Sequence, residues 1–256
     1  MKIIVAIKQV PERDAQVRIN AAGKWIEEAD LQWAMNESDA YALEEALQLK
    51  EKDGGEVVVI SAGPERVGST IREALAKGAD RAIHIDCDDL GQRDALSVAR
   101  LLAEAIKPES PDLVLTGLQS DDLGYGQTGV ILAALLELPH ASLLLHVEKT
   151  DTLLHVKREL EEGWFQNIEL PIPAVLTIQS GGSKLRYATL MGIKRAKTKE
   201  VRRVTPADLG VQSSAVVVLD RLTQPKKQKS TQILPGTAKE AAAALVEKLK
   251  FEVRVL

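Results

Sequence analysis

Four short β-branched runs, at residues 3–7, 57–61, 82–86 and 113–116, alternate with stretches of helical periodicity, and no other feature limits the fold so much. Each run is apolar at nearly every position, as a strand buried on both faces must be. The first intervening stretch carries Tyr41, Leu43, Ala46, Leu47 and Lys50 at helical spacing, with Asn36 as its N-cap and Glu37 and Asp39 in the first turn. A second carries Ile71, Leu75 and Ala76 and stops at Gly78; a third covers 95–106, ahead of Pro108; a fourth covers about 127–136. Strands alternating with helices imply βαβ crossovers and a doubly wound, mostly parallel α/β sheet covered on both faces. Past Pro139 the runs 141–147, 153–159, 164–170 and 174–179 follow one another with only short polar connections, which predicts antiparallel additions to that sheet.

Charge excludes some classes and divides the chain. Lys and Arg number 33 against 37 Asp and Glu, a net charge of -4, so a general nucleic-acid-binding surface is not expected. Residues 194–229 nevertheless hold ten basic side chains (194, 195, 197, 199, 202, 203, 221, 226, 227 and 229) against three acids, while the preceding 193 residues carry 19 basic and 31 acidic. That asymmetry suggests an arm lying on an acidic surface, with a solvated tail as the other reading; a short helix at 238–249 follows a linker at 223–230. The lone Cys87 rules out an internal disulfide framework or a multi-cysteine metal site and points to a reducing compartment. The apolar run before Lys8, 3–7, is only five residues long, too short for a secretory segment, and the longest apolar runs, 130–138 and 141–147, are broken by Glu137, Pro139 and His140. No membrane insertion and a cytoplasmic location are expected.

In a doubly wound sheet, ligands bind beyond the carboxyl ends of the strands, which singles out the loops 8–11, 61–64 and 117–129. The last reads GLQSDDLGYGQTG and opens a helix. Its glycines permit close backbone approach, and N–H groups near Gln127 and Thr128 would face a phosphate. Gly124, Gly126 and Gly129 match G-x-G-x-x-G, but residues 118–123 separate them from the strand, unlike the dinucleotide fingerprint. Asp121 and Asp122 would repel a phosphate, so ribose contacts or loop hydrogen bonds suit them better; a glycine-rich turn that merely starts a helix is the competing explanation. The four histidines, His84, His140, His146 and His155, lack metal-ligand spacing, and His84 falls inside a strand. Cys87 sits in an acidic stretch that would raise its pKa, and Asp88-Asp89 and Glu161-Glu162 suit solvated loops. No catalytic or metal-binding constellation is visible, so reactivity would have to come from a cofactor and a partner.

The segment 173–199, PAVLTIQSGGSKLRYATLMGIKRAKTK, resembles the signature region of the electron transfer flavoprotein β subunit, including Arg-Tyr-Ala-Thr-Leu at 186–190. VAIKQVP at 5–11, MNESDAYALEEAL at 35–47, SAGP at 61–64, LAKGADRAIHI at 75–85, the loop at 117–129 and KREL…G at 157–163 extend the match over about 2–210. The resemblance implies a Rossmann-like, adenine-nucleotide-binding fold and a heterodimer with an α subunit, in which FAD is held mainly by α and a structural AMP lies in β. It places the AMP contacts on Ala6, Asn36, Glu37, Ser38, Asp39, Ala62, Gly117, Gln119, Ser120, Asp121, Asp122, Gly124, Gly126, Gln127 and Thr128. A minority branch of that family carries a second FAD in place of AMP and bifurcates electrons.

By the same resemblance Leu190 is an apolar anchor for a partner flavin dehydrogenase, flanked by Arg186 and Tyr187, and Glu159 helps to position the mobile flavin domain of the α subunit. Two departures stand out. Met191-Gly192 stands where many relatives have a proline after the anchor leucine, which should loosen the recognition loop, and 11–19 holds no aromatic side chain to lie against the flavin. The expected division is a nucleotide-binding domain at 1–193, with its recognition loop at 184–193, and a basic arm with terminal helix at 194–256 contacting the α subunit. The implied role is that of an electron carrier and not an enzyme, passing electrons from flavin dehydrogenases such as the acyl-CoA dehydrogenases of fatty acid β-oxidation to a membrane quinone oxidoreductase or another acceptor. A nucleotide-binding enzyme or ATP sensor on the same scaffold is the alternative, and a purely structural partner is a third.

Overall fold

The computed structural model describes residues 1–89, 93–212, 215–225 and 231–255. The chain forms two compact units, Met1–Leu222 and Thr223–Leu256. In the first, β1 (Lys2–Ala6) is followed by a small antiparallel pair, β2 (Gln9–Pro11) with β3 (Trp33–Met35), and then by α1 (Glu37–Asp53). There follow β4 (Glu56–Gly63), α2 (Gly68–Lys77), β5 (Arg81–Asp86), α3 (Ala95–Ile106), β6 (Leu113–Gly117) and α4 (Thr128–Leu136). The extension comprises β7 (His140–Thr150), β8 (Leu153–Glu159), β9 (Phe165–Pro171) and β10 (Ala174–Ile178), and α5 (Leu190–Ala196) and β11 (Val201–Val204) complete the unit.

Nine strands form one sheet in the order β11-β5-β4-β1-β6-β10-β7-β8-β9. Alternate residues of the central strands face opposite layers. Ile3, Val5, Val57, Val59, Leu113 and Leu115 pack with Leu43, Leu47, Ile71 and Leu75 of α1 and α2. Ile4, Val58, Ile60, Ile83 and Val114 pack with Leu101, Leu102, Ile106 and Leu132 of α3 and α4. The strand order reverses at β1, which lies between β4 and β6, so a crevice opens there at the carboxyl ends.

Two parts of the sheet depart from expectation. Residues 174–178 are not an antiparallel addition: β10 lies parallel to both β6 and β7 and fills the slot between them. All five of its residues are buried, which only a central strand allows. The β7–β8–β9 portion is antiparallel, as the short connections predict. Nor is 194–222 an extended arm; this stretch belongs to the first compact unit, so the division comes after Leu222 and not after residue 193. Two of its arginines have acidic partners within the unit. Arg202 meets Glu109 at 3.2 Å, and Arg203 pairs with Glu65 and Asp86, while Lys199 Nζ donates to the Leu75 carbonyl at 2.9 Å. These pairs hold β11 as a parallel edge strand on β5. Lys226, Lys227 and Lys229 lie outside the described residues. In the second unit, α6 (Ala238–Lys248) starts with a capping box of Thr237 and Glu240, and none of its residues is buried.

Candidate functional site

A cavity of about 180 Å³ occupies the crevice. Ala6 and Ala62, at the ends of β1 and β4, form part of its wall, small enough to leave room above the sheet. Asn36 and Asp39 contribute from the start of α1, and Gly117, Gln119, Ser120, Asp122, Gly126, Gln127 and Thr128 from the long loop and the start of α4. Glu37, Ser38, Asp121 and Gly124 are not in the wall, but the first three brace it. The Asn36 side chain sits at an N-cap position without capping the helix. Instead its Nδ2 donates to Ser38 Oγ at 3.0 Å and to the Gln119 carbonyl at 2.9 Å, and its Oδ1 accepts from the Asp121 N–H at 2.9 Å. Asp121 Oδ2 accepts from the Glu37 N–H at 3.1 Å, so the loop and α1 are tied from both sides.

Asp39 is the buried centre of this frame. Its two carboxyl oxygens accept the Lys8 N–H at 2.6 Å and the Gly117 N–H at 3.0 Å, which joins the exits of β1 and β6. Burial pushes its pKa up to about 7, against the opposing pull of those N–H groups and of Asn36. The two loop carboxylates expected to be hostile to phosphate are both engaged: Asp121 as described, and Asp122 with Lys8 Nζ at 2.6 Å. Helix α4 begins without a side-chain cap, which leaves its first N–H groups to water or a ligand. Gly124 and Gly126, at φ 64° and 63°, supply the left-handed turns that bring the loop to that helix.

Sequence reasoning missed part of the wall. Trp25, Trp33, Gln9, Arg66 and Arg93 also line the cavity. Arg66 lies 3.6 Å over the Trp33 ring and pairs with Glu28 at 3.0 Å, and Trp25 Nε1 donates to Glu28 at 2.8 Å. The available signal was the placement of two of the three tryptophans within nine residues.

His84 and Cys87 are structural, as expected from the sequence. His84 is buried with Nε2 2.8 Å from the Gly63 carbonyl, and burial pushes the Cys87 thiol up to about 11, so no thiolate forms near neutral pH. Among the described residues, no group of three His, Cys, Asp or Glu could hold a metal ion.

A second surface gathers near α5. Leu190, its first residue, is 88% exposed, Tyr187 is 91% exposed, and Met191 and Ile193 are exposed beside them. The loop is not loosened at Met191-Gly192. Thr189 caps the helix by accepting the Gly192 N–H at 3.0 Å, and Gly192 packs so closely on α2 that a Cβ there would come within 2.2 Å of the Ala76 carbonyl oxygen. Arg186 is used within the chain: Nε meets Glu44 at 2.8 Å and Nη1 meets Glu51 at 2.5 Å, which pins the segment to α1. Glu159, at the end of β8, accepts from Gln179 Nε2.

An open, mostly parallel sheet with helices on both faces and a loop-framed cavity at its switch point defines a doubly wound α/β protein of the Rossmann-like class. A family model described as electron transfer flavoprotein domain matches residues 24–209. The electron transfer flavoprotein subunit beta of Methylophilus methylotrophus is 40% identical, with 96% of this chain and 97% of that protein aligned. The mitochondrial subunit beta of Oryza sativa subsp. japonica is 38% identical over 100% of both chains, and the Homo sapiens subunit beta is 34% identical over 98% of this chain and 97% of its own. The chain belongs to the electron transfer flavoprotein β-subunit family. No described helix is long and apolar enough to cross a membrane.

Proposed function

We propose that this chain pairs with an electron transfer flavoprotein α subunit, holds AMP in the crevice at β1, and presents the Leu190 surface to partner flavin dehydrogenases. The observation that carries the reading is the cavity itself. Small residues at Ala6 and Ala62 leave space above the sheet, and the uncapped start of α4 offers N–H donors suited to a single phosphate. The donor set fits a monophosphate better than a longer phosphate chain, because Lys8, a cation in the wall, is committed to Asp122. Asn36, Asp39, Ser38 and Asp121 keep the loop shaped for it.

FAD, held mainly by the α subunit, would supply the one-electron and two-electron chemistry. This chain would act as a carrier subunit and not as an enzyme, serving dehydrogenases such as those of fatty acid β-oxidation and a membrane quinone oxidoreductase or another acceptor. Glu159 would help to seat the flavin-bearing domain, and the 223–256 segment would contact α. The lone, buried Cys87 suits a reducing, cytoplasmic setting.

Co-purification with the α subunit, a visible spectrum and acid release of bound nucleotides test the proposal. One FAD and one AMP per heterodimer is the expected result. Two FAD would replace AMP by a second flavin in this crevice; no nucleotide at all, or ATP hydrolysis by the purified chain, would overturn the carrier reading.

A further inference from the structure

Arg93 lines the same cavity from the side of α3 and has no part in the frame described above. It stands in the wall one residue before Asp94, the N-cap of α3. Its side chain is only 3% exposed; Nε pairs with Asp89 at 2.7 Å, and Nη1 is buried with no hydrogen-bond partner among the described residues. A buried guanidinium N–H without an acceptor costs stability, and a ligand in the cavity that Arg93 lines would supply an acceptor for the guanidinium.

The two helix starts flank the crevice. α3 and α4 pack side by side on one face of the sheet, and Asp94 to Ala95 and Gln127 to Gly129 both line the cavity. Packed helix axes lie roughly 8–10 Å apart, a span that a nucleoside monophosphate bridges and a lone phosphate does not. The two ends differ electrically. α4 starts uncapped, whereas α3 is already capped by the Asp94 carboxylate, which accepts the Ser97 N–H at 2.8 Å and the Val216 N–H at 2.7 Å. With Asp89 and Asp94 beside one arginine, the α3 end carries a net negative charge and disfavours a second phosphate.

We infer that Arg93 is a nucleotide-binding residue that donates to a neutral acceptor on the base, a ring nitrogen of a purine, while the phosphate lies at α4. This rests on the nucleotide-pocket reading above. The guanidinium then fixes which way round the nucleotide lies.

Calorimetry on the nucleotide-free full chain, with AMP and inorganic phosphate as separate probes, tests it. Arg93→Met is expected to weaken AMP about tenfold, equivalent to about 1.4 kcal/mol, and to leave phosphate affinity unchanged. A folded Arg93→Met chain that binds AMP as tightly as the unaltered chain overturns the inference, as does an equal loss for phosphate. Should Arg93→Met not fold, hydrogen exchange on the unaltered chain decides: AMP should protect the amides of 94–98 and phosphate should not, and absence of that difference overturns the assignment. An unaltered chain that binds no AMP removes the nucleotide-pocket reading and this inference together.

Discussion

Replacing Asp39 by asparagine leaves the side-chain volume almost unchanged but alters how the two strand exits are joined. The carboxyl accepts two backbone N–H groups, from Lys8 at 2.6 Å and Gly117 at 3.0 Å. An amide at this position can accept one and must turn its own NH2 toward the other, and a buried donor left without an acceptor costs roughly 1–3 kcal/mol. The pH dependence follows from the direction of the shift. The carboxyl's ordinary value is 3.8, and burial raises it to about 7 in the folded chain. Between those values folding takes up a proton, so the stability this group contributes is complete below about pH 4 and is lost as pH rises through about 7. One pKa unit corresponds to about 1.4 kcal/mol, so roughly 2–3 kcal/mol should disappear between pH 5 and pH 8. The amide of the Asp39→Asn variant does not titrate. Urea unfolding of that variant and of the unaltered chain at pH 5, 6, 7 and 8, at constant ionic strength, should therefore show only a small deficit of the variant at pH 5, where the protonated carboxyl is as poor a double acceptor as the amide, and the unaltered chain losing roughly 2–3 kcal/mol relative to the variant by pH 8. A gap that stays constant or widens with pH would show that the two N–H donors hold the charge better than burial penalises it, and the reasoning would fail.

Leu190→Ala is expected to leave the melting temperature unchanged, because the side chain is 88% exposed, while slowing reduction by a partner dehydrogenase. Loss of one apolar anchor worth roughly 1.5–3 kcal/mol corresponds to about one to two orders of magnitude in affinity, measurable as a raised KM for the flavoprotein. Gly126→Val forces a β-branched residue to φ 63°, a strain of roughly 1–3 kcal/mol, and should lower both stability and the AMP content of the purified heterodimer, read by acid release. Brief trypsin treatment of the isolated chain should cut at Arg221 before Arg202 or Arg203, because β11 is hydrogen-bonded to β5; mass spectrometry of the first fragments gives the order.

Some of this architecture could be read from the sequence for a simple reason. A strand covered on both faces must be apolar throughout, so β1, β4, β5 and β6 announce themselves, and their order with the helices fixes where a ligand crevice opens. The loops 8–11, 61–64 and 117–129 are legible by that route, whereas Ala6 comes only from the resemblance. What escaped was pairing that depends on distant segments. β10 reads like any short apolar run, and nothing local tells that it enters between β6 and β7. β11, with sequence VRRV, reads as a charged arm because its acidic partners, Glu65, Asp86 and Glu109, are dispersed far upstream. Asn36 has the identity of an N-cap, yet Ser38 and the loop at 119–121 offer its side chain three better partners. Arg93 and the tryptophans of the wall sit outside any recognisable motif, and only the folded chain brings them to the crevice.

The slot filled by β10 constrains how the chain can be made. During synthesis β6 and β7 emerge well before residue 174, and until then each has an unpaired flank rich in leucine. Direct pairing of β6 with β7 is a trap, because it satisfies backbone groups early and leaves no place for the last strand. Strands β8 and β9 arrive next and pair on the far side of β7, which orients it and leaves its inner flank available. Ribosome-stalled chains from which β7 has emerged while residues 174–178 are still inside the exit tunnel should therefore bind chaperones strongly and lose that affinity once residues 174–178 clear it.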